Sequence, residues 1–162
     1  MLTLRKIADR LVGLSALVGA LALAVVTVTI LVDVTGRAFG HPLYGSRDIV
    51  QMAAVLVVFG GMGYADKRGG HIAVDLLEPF FSKRLNYWLV TAGVIVGTIV
   101  FTLIAWRIYG NIALSQMLKS STNILYIPRW PFEYAVMTLA GIAALYMALK
   151  VVTRLLGDRD ES

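Results

Sequence analysis

Four long apolar runs are the feature that most limits what this chain can fold into. They cover approximately residues 11–34, 49–66, 85–108 and 130–152. Runs of about twenty apolar residues are long enough to cross the hydrocarbon core of a bilayer as α-helices. The composition agrees, because 58% of the chain is hydrophobic and 15% is charged, where a soluble domain carries roughly a quarter charged residues. We therefore predict an all-α integral membrane protein of four transmembrane helices, forming a single membrane domain over residues 1–162.

The start of the chain can be interpreted in two ways. Arg5, Lys6 and Arg10 precede the first apolar run, as they would in a signal peptide. That run, from Leu11 to Val34, is too long for the core of a signal peptide and lacks a convincing cleavage site. We therefore interpret it as a retained first span.

The distribution of lysine and arginine predicts the orientation of the spans. Ten of the 15 lie at the N-terminus, in the link between the second and third spans, or in the C-terminal tail. The other five flank the first and third links. Because links rich in Lys and Arg stay in the cytoplasm, we predict that both termini and the central link are cytoplasmic. His71 then lies on the cytoplasmic side and His41 on the opposite side.

The central link contains a densely polar passage between two long apolar runs, from Lys67 to Leu77. Its glycine pair, Gly69-Gly70, can adopt backbone angles that other residues resist, so the chain can turn as it leaves the bilayer. After this turn, Ile72, Leu76 and Phe80 fall on one stripe of a short helix. That stripe is typical of a helix lying in the membrane surface. We therefore predict an interfacial amphipathic helix between spans 2 and 3.

Two acid–base pairs with four-residue spacing are candidate interface sites. His71 and Asp75 share a helical face, and the imidazole can donate a hydrogen bond to the carboxylate or be charged beside it. This pair either fixes the glycine turn and the start of the surface helix or contacts a partner protein. Asp33 and Arg37 close the first span in the same spacing, with the acid first. They form either an interfacial ion pair or part of a partner surface.

Asp48 and two groups of glycines mark further candidate positions. Asp48 lies in the first turn of the second helix, where the helix dipole favours an acid. The run Gly60-Gly61-Met62-Gly63 either permits close approach by another helix or loosens the helix end. Gly93 and Gly97 form a Gly-x-x-x-Gly pair in the third span, which permits a close helix contact but is also common by chance.

The polar residues exclude several classes of protein. The formal net charge of +5 does not indicate nucleic-acid binding, because the basic residues lie at the ends of apolar runs rather than in one patch. The absence of cysteine excludes disulfides and cysteine metal sites. Histidines on opposite faces cannot be the two axial ligands of one haem, and no catalytic set can be assembled on one side. We predict no enzyme activity, no cofactor and no metal site.

The predicted spans also lack any ionisable residue near their centres. Asp33, Asp48, Glu133 and Lys150 all lie near span ends. Charge deep in a membrane protein usually serves a pathway for a solute or an ion. We therefore expect that this chain does not bind a transported solute itself and that its work is to contact other proteins.

Four sequence pieces, in order along the chain, resemble one family. They are Asp33-Val34-Thr35-Gly36-Arg37-Ala38-Phe39, Pro42-Leu43-Tyr44-Gly45-Ser46-Arg47-Asp48-Ile49-Val50, Arg68-Gly69-Gly70-His71-Ile72-Ala73-Val74-Asp75, and Thr122-Asn123-Ile124-Leu125-Tyr126-Ile127-Pro128-Arg129-Trp130. The third piece is the most specific. Together they resemble the small four-helix membrane subunit, the Q-type subunit, of tripartite ATP-independent periplasmic (TRAP) transporters.

The resemblance implies a role in a three-part importer of the bacterial inner membrane. In such a system a periplasmic binding protein captures an organic acid, and a large multi-span subunit carries it across with sodium. The small subunit is similar to a scaffold that braces the large subunit in the bilayer. The residues that we expect to serve a partner interface or the local structure are Asp33, Arg37, Asp48, Gly70, His71, Asp75, Gly93, Gly97, Pro128 and Trp130.

Two other classes of protein remain as alternatives. A small four-helix multidrug exporter, acting as a homo-oligomer, has the right size. It would need an acidic residue within its first span, and Asp33 lies too near the end of that span to serve comfortably. A membrane enzyme or a haem-anchoring subunit is disfavoured by the placement of the histidines and the missing catalytic set.

Overall fold

Four helices make up most of the protein in a computed structural model that describes residues 2–67 and 83–156. They are α1 (Leu2–Ala38), α2 (Ser46–Lys67), α3 (Lys83–Met117) and α4 (Trp130–Leu155). All four are long and apolar enough to cross a membrane. The predicted all-α architecture with four spans is therefore confirmed, whereas the orientation of the spans stays a prediction.

Helix α3 is longer than the sequence predicts. The third apolar run ends near residue 108, where Arg107 and Tyr109-Gly110-Asn111 interrupt it, but the helix continues to Met117. Its 35 residues correspond to a length of about 52 Å, more than the hydrocarbon core of about 30 Å. The extension keeps its helical form because Ile112 and Ser115 are buried against the rest of the chain.

The helices pack as two antiparallel hairpins joined through α4. α1 packs along α2, α3 packs along α4, and α4 also contacts α1 and α2. Val94 and Phe101 of α3 meet a stripe on α4 in a hydrophobic core cluster of buried residues. That stripe consists of Ala140, Ala143, Ala144 and Met147. Phe59 of α2 joins this cluster edge-on to Phe101, with 6.4 Å between ring centroids.

Glycines set the closest approach between α1 and α2. A Cβ atom added to Gly60 would lie 2.7 Å from the backbone nitrogen of Gly19 and 2.7 Å from the carbonyl oxygen of Ser15. Gly63, one turn further on, faces Val12 and Ala143. Of the two interpretations of the glycine run in α2, the structure supports close approach by another helix.

Only one glycine of the Gly-x-x-x-Gly pair of α3 packs closely against another described helix. A Cβ atom at Gly97 would lie 3.0 Å from the sulfur of Met147, whereas one at Gly93 would meet no described atom within 4 Å. The outer faces of α1 and α3 are similarly open, since large apolar side chains such as Leu21, Val28 and Leu103 are more than half exposed. These faces are available to lipid or to another membrane protein.

Candidate functional site

The end of the molecule that carries links 39–45 and 118–129, which we call the loop end, holds five of the ten predicted site residues. It begins where α1 stops. Gly40 has a φ of +79°, the amide of His41 donates to the carbonyl of Gly36 at 2.7 Å, and the amide of Gly40 donates to that of Arg37 at 3.1 Å. This is a Schellman motif. A residue in the left-handed conformation turns the chain so that two amides beyond the helix donate hydrogen bonds to its last carbonyls.

Asp33 joins the end of α1 to the start of α2. Its Oδ2 accepts a hydrogen bond from Nε of Arg37 at 3.0 Å, and Nη2 of the same guanidinium lies 2.9 Å away in an ion pair. Its Oδ1 accepts the amide of Leu43 at 3.0 Å. The ion pair that the spacing predicts is therefore present, and its carboxylate is used to hold the link that follows. The Arg37 side chain is 65% exposed, so its outer surface faces away from the rest of the chain.

Asp48 holds a loop that is distant in sequence. It lies in the first turn of α2, as predicted, but it is buried, with 4% of its surface exposed. Its Oδ2 accepts the amides of Ile124 and Leu125, each at 2.8 Å. A buried carboxylate that receives two amide hydrogen bonds is a strong attachment point. Asp48 therefore fastens the link between α3 and α4 onto α2.

Gly45 brings the two links of the loop end into direct contact. Its φ of +76° is a conformation that glycine adopts without steric cost. A Cβ atom at this position would overlap the side chain of Leu125. The hydroxyl of Tyr44 also donates to the carbonyl of Ile124 at 3.3 Å. Links 39–45 and 118–129 therefore form one interlocked cap over the helices.

Pro128 and Trp130 lie where link 118–129 enters α4. Pro128 forms an isolated antiparallel bridge with Ser121, and the amide of Arg129 donates to the carbonyl of Ser120 at 3.0 Å. Trp130 is the first residue of α4 and stacks edge-on against Tyr134, with 6.2 Å between ring centroids. Both predicted residues thus shape the entry to the last helix.

One polar cluster at the loop end was not predicted from the sequence. Oε1 of Glu133 accepts a hydrogen bond from the Ser115 hydroxyl at 2.7 Å and from Nδ2 of Asn111 at 3.1 Å. Sequence reasoning places Asn111 and Ser115 in a link, because the apolar run has already ended. The available signal was their four-residue spacing, which puts both on one face if the helix continues.

The opposite end, which we call the terminus end, has ion pairs that connect its helices. Asp66, with 1% of its side chain exposed, pairs with Lys150, whose Nζ lies 3.3 Å from Oδ1. Nζ also donates to the carbonyl of Asp66 at 3.1 Å. Lys67 pairs with Asp9 at 2.8 Å. These pairs connect α2 to α4 and α2 to α1.

Several predicted residues lie outside the described part of the chain. They are Gly70, His71 and Asp75, together with the stripe of Ile72, Leu76 and Phe80 in the predicted surface helix. Their roles stay predictions. Within residues 2–67 and 83–156, no group of three or more histidine or acidic side chains is arranged to hold a metal ion.

Because α3 continues beyond the predicted end of the third span, Arg107 lies nearer to the middle of its helix than the sequence predicts. The part of α3 that is long and apolar enough to be a membrane span runs from Tyr87 to Met117, which places Arg107 only about 7 Å from the midpoint of this part along the helix axis. The side chain is exposed and makes no ion pair or hydrogen bond with the described residues. It faces outward, so it does not form a polar site between the helices of this chain.

The described helices define a class of protein, a four-span helical membrane protein whose polar groups mainly fasten helix ends to one another. The family can then be stated. The chain matches the model of the family described as "Tripartite ATP-independent periplasmic transporters, DctQ component" over residues 26–157. It therefore belongs to the DctQ family and is a small membrane subunit of a TRAP transporter. No match was found among curated proteins.

Proposed function

We propose that this subunit is a scaffold that holds a large multi-span transport subunit in the bacterial inner membrane. The complex performs sodium-coupled uptake of an organic acid that a periplasmic binding protein delivers. The observation that carries this proposal is the use of polar groups in the described helices. Asp33, Asp48 and Glu133 at the loop end, and Asp66 at the terminus end, each bind a neighbouring segment of the same chain.

A body braced at both ends suits a subunit that must stay rigid while its partner moves. The two interlocked links close one end, and the ion pairs of Asp66 and Lys67 close the other. Between these ends the outer faces of α1 and α3 are open and, apart from Arg107, mostly apolar, so they can pack against a membrane-embedded partner. Arg107, which has no carboxylate partner among the described residues, lies on this outer surface and not in a pathway through the chain.

The exporter alternative gains no support from the geometry. Such a protein needs a carboxylate in its first span that is free to exchange a proton or bind a cationic solute. Asp33 is occupied instead by Arg37 and by the amide of Leu43. We also propose a non-catalytic role, because the carboxylates of the loop end accept hydrogen bonds from other groups of the same chain.

Reconstitution in liposomes tests the scaffold role. With an imposed sodium gradient, we expect uptake when this subunit, the large subunit and the binding protein are all present. Omitting this subunit should lower uptake by at least about tenfold, because the large subunit then lacks its brace. The small subunit with the binding protein alone should give no uptake above protein-free liposomes, and sustained uptake in that arm would contradict the proposal.

Single-cysteine labelling tests the predicted orientation. The chain has no cysteine, so each introduced thiol is the sole reactive site. His41→Cys and Asn123→Cys place it on exposed residues of the loop end, and Leu156→Cys places it at the terminus end. In cells with an intact inner membrane, an impermeant thiol reagent should label positions 41 and 123 but reach position 156 only after lysis. The reverse pattern would show that the loop end, and not the terminus end, faces the cytoplasm.

A further inference from the structure

A groove of about 510 Å³ lies at the loop end, between the last turn of α3 and the first turn of α4. Four of its lining residues are polar, and they are Gln116, Lys119, Ser120 and Ser121. The other three are Tyr126, Pro128 and Trp130. Its volume is within the range of pockets that hold small ligands. The scaffold role makes no use of this groove.

The backbone around the groove is held in an uncommon conformation. Lys119 and Tyr126 have φ values of +48° and +53°, and they are the two non-glycine residues with positive φ in the described part of the chain. Residues in this left-handed region cost free energy and are often found at binding sites. Both line the same groove.

The charge of the groove favours an anionic ligand. Lys119 makes no ion pair with any described residue, so its ammonium group is available. The acids of the loop end, Asp33, Asp48 and Glu133, are not among the lining residues and accept hydrogen bonds elsewhere. The amide of Gln116 and the hydroxyls of Ser120 and Ser121 supply further donors. A lysine among such donors is a common arrangement for binding phosphate.

The position of the groove connects that chemistry to the bilayer. The candidate membrane span of α3 ends at Met117, and that of α4 begins at Trp130, so the groove lies at the ends of two spans. Trp and Tyr rings prefer the headgroup layer of a membrane. From these observations we propose that the groove binds the headgroup of a glycerophospholipid. Lys119 pairs with its phosphate, while Tyr126 and Trp130 pack against its glycerol and the start of its acyl chains.

Lipid titration of the purified full-length chain tests this proposal. The delipidated protein is titrated in detergent with dioleoyl phosphatidylglycerol, and bound lipid is counted by native mass spectrometry. Lys119→Asn removes the charge, and asparagine tolerates the left-handed backbone. Loss of one charge-assisted contact should weaken binding about tenfold. Arg47→Gln, which removes an exposed positive charge near the start of α2 at the same end, is the matched control and should leave binding unchanged.

Three further arms identify the source of the phosphate and guard against misfolding. Dioleoylglycerol, which lacks the phosphate, should bind at least tenfold more weakly than phosphatidylglycerol, and millimolar inorganic phosphate should not displace the bound lipid. Gln116→Leu removes a donor from an exposed residue in the last turn of α3 and should weaken binding about threefold. This second variant decides the outcome if Lys119→Asn lowers the melting temperature.

Four results would overturn the proposal. Equal weakening by Lys119→Asn and Arg47→Gln would indicate general attraction to the positive surface. Tight binding of dioleoylglycerol would show that the phosphate is not recognised. Displacement of the lipid by inorganic phosphate would indicate a site for the free anion. If the lipid does not bind and Lys119→Asn instead lowers co-purification of the large subunit, the groove is a protein contact.

Discussion

Replacing Gly60 with alanine is expected to lower the free energy of unfolding by about 2 kcal/mol, because the added methyl group has no space. It would lie 2.7 Å from backbone atoms of Gly19 and Ser15, and backbone atoms cannot rotate away. The helices α1 and α2 would have to separate along their whole contact. This cost exceeds the gain of up to about 1 kcal/mol that alanine usually brings to a helix interior.

The neighbouring glycine is the matched control for this experiment. A Cβ atom at Gly61 meets no described atom within 4 Å, so Gly61→Ala should leave the free energy of unfolding unchanged or raise it by up to about 1 kcal/mol. Both variants can be compared by denaturant titration in mixed micelles, followed by circular dichroism. Equal stability of the two variants would show that the α1–α2 crossing is looser than the structure indicates.

Asp48→Ala is expected to cost about 3 kcal/mol and to release the link between α3 and α4. It leaves the partly buried amides of Ile124 and Leu125 without the acceptor that they share, and hydrogen bonds to a charged acceptor contribute about 1.5–3 kcal/mol each. The readout is amide hydrogen exchange. We expect protection to be lost at residues 122–127, while the core of α4 around Ala140 keeps its protection.

A second substitution at the same position separates the charge from the hydrogen bonds. Both amides donate to one oxygen, Oδ2, so the single carbonyl oxygen of asparagine can accept both. Asp48→Asn should therefore retain most of the protection at residues 122–127 and cost less than Asp48→Ala. If Asp48→Ala also leaves exchange in this segment unchanged, the carboxylate is not what holds the cap.

The candidate site divides into contacts that spacing could predict and contacts that it could not. Asp33 and Arg37 are four residues apart on one helix, so their pairing follows from helix geometry alone, and the structure contains it. The amide donors to Asp48 lie 76 and 77 residues further along the chain. No local pattern marks a backbone amide as the partner of a distant acid, so this attachment is visible only in the folded chain.

Helix ends show the same division. The start of α4 was predictable because Pro131 and the apolar run that follows it are local signals. The end of α3 was not, since Arg107 and Gly110 interrupt the apolar pattern while burial of Ile112 and Ser115 keeps the helix intact. Tertiary packing here overrides the hydropathy signal.

The amino-acid sequence alone determined that this protein has four membrane spans, because the length and apolarity of each run are properties of single segments set by the thickness of the bilayer. It also limited the chemistry, through the scarcity of charged residues away from the span ends. The tertiary structure alone decided that Gly60 meets Gly19, that Asp48 holds Ile124 and Leu125, and that Lys119 and Trp130 share a groove. These are contacts between segments far apart along the chain, and their geometry depends on how the helices cross.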